Sequence, residues 1–127
     1  MNNLSEHVSY KEGTKSVTAN RLGIDNTPDE EILATMKVTC KCIFEPIRDH
    51  FNQPIYISSF YRSPELNTAI GGSKKSQHCK GEAIDIDDVY GDTKNSDIFQ
   101  YIKEKLDFHQ LIWEFGDDQN PAWVHVS

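Results

Sequence analysis

Residues 82–87, Glu82-Ala83-Ile84-Asp85-Ile86-Asp87, alternate apolar and acidic side chains with the period of a β-strand. Ile84 and Ile86 belong on a core face, and Ala83 and Asp85 on the opposite face. Three further strands are predicted around this one. Pro54 to Ser59 (PIYISS) is rich in β-branched residues, and Gln110–Phe115 and Ala122–Val126 flank a polar turn, Gly116–Pro121, as in a hairpin. Between the strands lie helical patterns. Thr27-Pro28-Asp29-Glu30 is a start signal, with Thr27 as cap, Pro28 at the first helical position and Glu30 closing a capping box. Leu33, Met36, Cys40, Ile43 and Ile47 follow as a buried stripe, and Pro46 should kink or loosen the last turn. Ser63-Pro64 opens a short helix ending at Gly71-Gly72, and Asn95 or Ser96 caps one carrying Ile98, Phe99, Ile102 and Leu106. The sum is an α+β domain over 1–127, with helices packed on a mostly antiparallel sheet. Residues 1–26 form an N-terminal helical segment on it, with a capping box at Ser9–Glu12 and a helix stop at Gly23.

The 127 residues suit one domain with one core. Thirteen Lys plus Arg against 20 Asp plus Glu give a net charge of −7. A phosphate-binding protein needs the opposite balance, so nucleic acid and anionic membrane surfaces are excluded as partners. No apolar run spans a bilayer, and the opening MNNLSEHVSYKEG lacks the pattern of a signal peptide. Synthesis in the cytoplasm is the expectation. The three cysteines, Cys40, Cys42 and Cys79, form no C-x-x-C pair and read as ordinary half-buried thiols.

His78, Asp85 and His125 are the informative chemical residues. His78 lies in a polar loop ahead of Gly81, and His125 sits between Val124 and Val126 in the last strand. Two imidazoles and a carboxylate can hold a catalytic zinc, leaving a fourth position for a water whose pKa falls to about 7. With five histidines and 20 acids in the chain, spacing alone leaves a second reading open: a loop histidine, a solvent-facing aspartate and a satisfied strand histidine.

The surrounding wording narrows this. Ile57-Ser58-Ser59-Phe60-Tyr61-Arg62-Ser63-Pro64 leads to Ser76-Gln77-His78-Cys79-Lys80-Gly81-Glu82-Ala83-Ile84-Asp85, and the chain closes on Trp123-Val124-His125-Val126-Ser127. This closely resembles the zinc D-alanyl-D-alanine carboxypeptidase family of bacterial and phage cell-wall metallopeptidases, related in fold to the hedgehog signalling domain. The family pattern S-x-H-x-x-G-x-A-x-D is matched from Ser76 to Asp85, and the resemblance covers roughly Thr27 onward. It implies Zn2+ held by His78, Asp85 and His125, with Arg62 in the cleft to bind a carboxylate or an oxyanion. Ser76 and Gln77 are implied as substrate-binding neighbours. The substrate implied is a peptidoglycan stem peptide, cut as D-Ala-D-Ala by a carboxypeptidase or as L-Ala-D-Glu by a phage-lysin-like endopeptidase. A monomer released to the wall by a phage-type route, or carried in a virion, is the matching expectation.

The general base departs from the best-described members, whose acid stands three residues before the last ligand. That position here is Ala122. In another branch a glutamate ends the preceding strand, which makes Glu114 the candidate here, with Asp117 and Asp118 as competitors. Pairing Glu114 with Trp123 puts Glu114 on the face of His125, whereas pairing with Ala122 puts it on the other. The Glu114–Trp123 register, or a bulge of the same effect, is expected. Ala122 also keeps a different class open: a zinc-containing binding module without hydrolysis, or a purely structural zinc site.

Other readings fit less well. Cys79 lacks the setting of a nucleophilic thiolate. Asp85–Ser96 lacks the Gly and Glu of a calcium loop, which carries Tyr90 and Ser96 at those places. Asp87 reads as a strand-end acid. Trp113, Trp123, Phe115 and Phe108 read as packing residues, and His7, His50 and His109 as surface residues.

Overall fold

A computed structural model describes residues 3–91 and 93–127. Met1 and Asn2, at the head of the expected N-terminal segment, and Asp92, in the discarded calcium-loop reading, lie outside the described residues. The N-terminal segment begins with a hairpin that sequence did not suggest, β1 (Asn3–Ser5) and β2 (Val8–Ser9). Two short helices follow, α1 (Tyr10–Thr14) and α2 (Val17–Leu22). The Ser9–Glu12 capping box is formed as predicted, and Gly23, at φ 69°, closes α2 in the left-handed conformation. Leu4 and Val8 reach into the same core as the central sheet.

The main helix starts two residues later than predicted. Asp29, not Thr27, is the cap of α3 (Glu30–Thr39) and accepts from the Ile32 N–H. The Thr27 N–H is instead held by the Asp25 carboxylate in a local turn. Pro46 acts as expected. It has no N–H, and its ring would meet the carbonyl four residues back. The chain widens into a π-helical turn over Cys40–Phe44, with the Glu45 N–H bonding Cys40, and then continues as α4 (Glu45–Phe51). Met36, Cys40, Ile43, Phe44 and Ile47 face the core. Cys40 is buried and Cys42 exposed. Burial pushes the Cys40 thiol up to about 12, so it is an inert core residue.

Glu45 at the head of α4 clamps the N-terminal hairpin. One carboxylate oxygen accepts from the Ser5 hydroxyl and the His7 N–H, and the other meets His7 Nδ1 at 2.6 Å. His7 is thus no plain surface residue, a long-range partnership that local sequence does not reveal. Burial raises the Glu45 carboxyl, but the Ser5 and His7 bonds outweigh this and hold it below the usual glutamate range. A depressed folded-state value contributes stability above the unfolded pKa, and that contribution is lost as pH falls through the folded one. Glu45→Gln is therefore expected to flatten the decline of the urea midpoint as pH falls through and below the ordinary glutamate range.

The central sheet contains β3 (Tyr56–Ser59), β4 (Ile84–Asp87), β5 (Leu111–Glu114) and β6 (Trp123–Val126), ordered β3-β4-β6-β5 and antiparallel throughout. The chain is thus the predicted α+β fold. Ile57, Ile84, Ile86, Val124 and Val126 point to the helical side and are fully buried. α6 (Asn95–Lys105) covers that face with Ile98 and Ile102. The α6 cap differs from prediction. Lys94 holds the cap position without a side-chain bond, while the Asn120 amide reaches across to accept from the Ser96 N–H. Asn95 is buried and serves elsewhere. It accepts from the Asp88 N–H and donates to Asp87, Pro121 and Ala122. One side chain thereby ties the end of β4 to the start of β6, and Asp87 is the strand-end acid it was read to be.

Candidate metal centre

The helix α5 (Pro64–Ala69), capped by Ser63, leads into the polar loop that carries His78. That residue sits in a tight 3-10 turn over Gln77–Lys80, opened by the Ser76 hydroxyl accepting from the His78 N–H and closed by Gly81 at φ 74°. The turn rests on α3. The buried Thr39 hydroxyl donates to the Gly81 carbonyl at 2.8 Å, and any Cβ at position 81 would lie 2.6 Å from Met36 Cγ. The backbone N–H of Arg62 also bonds the His78 carbonyl. The His78 turn is thus fixed from two sides.

Sheet register brings the other two residues to it. Asp85 stands directly opposite His125 across the β4–β6 pair. The ligand-type atoms of His78, Asp85 and His125 lie within 4.8 Å of one another. His125 Nδ1 is 2.8 Å from Asp85 Oδ1, and His78 Nε2 is 3.3 Å from the same oxygen. Burial would raise the Asp85 carboxyl, but the hydrogen bond from His125 and then the adjacent His78 imidazole outweigh it and hold the carboxyl at about 2.

These residues fit a zinc ion by their donor chemistry. His78 Nδ1 lies 2.6 Å from the Phe60 carbonyl, which can only accept, so the ring proton sits on Nδ1. The lone pair on Nε2 is then aimed at Asp85, and Nε2 is buried without a hydrogen-bond partner. A lone pair facing a carboxylate oxygen is relieved by a proton or by a metal ion between them, and a metal ion there would also meet His125. Ligands about 2.1 Å from a tetrahedral ion stand ~3.4 Å apart, which His78 and Asp85 meet at 3.3 Å, while His125 and Asp85, hydrogen-bonded at 2.8 Å, would part slightly to admit one. A second grouping, Glu6, His7 and Glu45, is also close enough to hold a cation. There, however, both Glu45 oxygens and His7 Nδ1 are taken up by each other and by Ser5.

Glu114 pairs with Trp123, the register anticipated from sequence. It therefore shares a face with His125, which stands opposite Ile112. Asp117 is a turn residue. Its carboxylate accepts from the Gln119 N–H and then from Asn120, and these bonds hold it below the usual range. Arg62, Ser76 and Gln77 come together on the wall of a cleft of about 630 Å3 beside the triad, not over it. Lys75, Lys80 and Gln110 line the same cleft and were not singled out from sequence, where the stretch before His78 reads only as a polar loop. Burial raises the Cys79 thiol against the pull of Arg62, which is the reverse of what a nucleophilic thiolate needs. The aromatic residues divide. Trp113 packs on Phe99, whereas Phe115 is 74% and Phe108 42% exposed, a correction to their reading as packing residues. Phe115 also adopts φ 51°, with its ring against Trp123.

No curated protein matches the chain. The family model described as Peptidase M15 matches residues 6–127. With the match spanning nearly every described residue, the chain belongs to the M15 peptidases, a family of zinc metallopeptidases.

Proposed function

We propose that the chain hydrolyses an amide bond in peptidoglycan stem peptides as one zinc peptidase domain, with His78, Asp85 and His125 as the metal ligands. The observation that carries this reading is the convergence of His78, Asp85 and His125, whose ligand-type atoms lie within 4.8 Å of one another with the buried His78 Nε2 aimed at the Asp85 carboxylate. Zinc bound there supplies Lewis acidity and a water of lowered pKa. Phe60 fixes the His78 tautomer through its carbonyl. Glu114 takes a proton from the attacking water and delivers it to the leaving amine nitrogen as the C–N bond breaks. The Arg62 guanidinium stabilises negative charge on the substrate or on the developing oxyanion. Ser76 and Gln77 bond the substrate backbone. The same reading makes the protein a wall-degrading monomer of phage-lysin type, cutting D-Ala-D-Ala or L-Ala-D-Glu.

Mass spectrometry of purified peptidoglycan and of a stem pentapeptide tests this, using zinc-loaded, chelated and Glu114→Gln proteins. Loss of a terminal D-alanine identifies the carboxypeptidase, and a cut after L-alanine identifies the endopeptidase. Glu114→Gln is expected to lower kcat by about 10²–10⁴-fold with KM little changed. Full activity in that variant overturns Glu114 as the base. Ala122, at the position where other members place an acid, favours the second reading, a zinc-containing binding module. A folded, zinc-loaded protein that cuts neither substrate would support it.

A further inference from the structure

The cleft beside the triad has a charge opposite to that of the protein. The chain has a net charge of −7 and 20 acidic residues, yet no described acidic residue lines this cleft. Arg62, Lys75 and Lys80 all line it, and none of the three has a carboxylate partner among the described residues. Arg62 Nε and Gln77 Oε1, on the same wall, are buried without a partner in the protein. One is a donor and the other an acceptor, which suits the C=O and N–H of a peptide backbone. The cleft begins at Ser76 and Gln77, next to His78, and reaches Gln110, which immediately precedes β5.

Resting on the peptidase reading above, we propose that this cleft recognises a peptide segment bearing at least two carboxylates, so that the enzyme prefers stem peptides with free acids over their amidated forms. Two observations separate this from binding of one terminal carboxylate. A single carboxylate is fully served by the fork of Arg62, which leaves both lysines without a role. A cleft of about 630 Å3 also exceeds the needs of one alanine residue. In a stem peptide the α-carboxylate of the γ-linked D-glutamate and the side-chain carboxylate of a diaminopimelate residue supply the charges.

The test compares two stem peptides, one with both carboxylates free and one with both as carboxamides. Wild-type, zinc-loaded protein is expected to favour the free acid in kcat/KM by about tenfold, as two to three partly exposed charge pairs allow. The double variant Lys75→Glu, Lys80→Glu changes two exposed side chains, so folding is spared. It is expected to bring that ratio to about one. Lys37→Glu, Lys41→Glu changes the net charge equally on exposed positions of the main helix and is expected to keep the ratio. Calorimetry with the γ-D-glutamyl-diaminopimelate dipeptide and its carboxamide gives a readout independent of turnover. Binding of the acid is expected to weaken with salt and in the Lys75/Lys80 variant. Hydrolysis of both substrates with equal efficiency, or equal binding of both dipeptides, overturns the inference. Selective binding of the acid without hydrolysis of either substrate supports the cleft and overturns the peptidase reading instead.

Discussion

A His78→Ala protein is expected to fold and to lose zinc. In the structure this imidazole is held by the Phe60 carbonyl at Nδ1 and offers Nε2 to the triad. Even an outer partner of a metal ligand typically costs ~10–100-fold in affinity when removed, and loss of a ligand itself costs more. The readout is the shift in thermal midpoint on adding zinc. A ligand at a thousand times its Kd stabilises by about 4 kcal/mol, and that increment is expected in the wild type and not in the variant. Measuring the shift, not the midpoint, separates metal binding from the cavity the truncation opens. A His78→Ala protein with the full zinc shift and one equivalent of bound metal would remove His78 from the ligand set.

The largest expected effect on stability comes from Gly81→Ala. Its backbone lies at φ 74°, where a side chain costs roughly 1–2 kcal/mol. The new methyl would also stand 2.6 Å from Met36 Cγ and 3.1 Å from the Ile32 carbonyl, inside the core packing of α3. Forcing a carbon into such a site adds about 1–3 kcal/mol. A loss of about 3 kcal/mol is expected, or roughly 10 °C in Tm for a chain of this size, read from urea unfolding with unchanged m. Because the Gly81 carbonyl accepts from Thr39, the strain falls on the His78 turn as well. Zinc affinity should therefore decline along with stability. A midpoint within 2 °C of wild type, on the scale of an ordinary surface substitution, would show that the turn can move away from α3.

The parts of the fold legible in sequence were those set by local periodicity. Ile84 and Ile86 announced β4, the stripe from Met36 to Ile47 announced the main helix, and Pro46 announced its disruption. The alternation around His125 and Glu114 was enough to pose the register question that the β5–β6 pairing answers. What escaped depends on partners far along the chain. Asn95 looks like a helix cap locally, but three of its four bonds go to Asp87 and to the residues before β6. His7 reads as surface until Glu45 is brought to it. Lys75 and Lys80 read as loop solvation, and only folding places them on one wall with Arg62. The triad was readable for the opposite reason: its spacing and neighbours form a recognisable phrase even though the residues meet only in three dimensions.

The position of β6 has a consequence for timing. It is the last described strand to be synthesised, yet it lies inside the sheet, between β4 and β5. Until it arrives, β4 has an open inner edge and β5 has no partner, and Asp85 and His78 wait without His125. Pairings between residues so distant in sequence form late and cooperatively. The triad therefore comes into being in the same event that closes the sheet, and a nascent or partly folded chain carries no assembled centre.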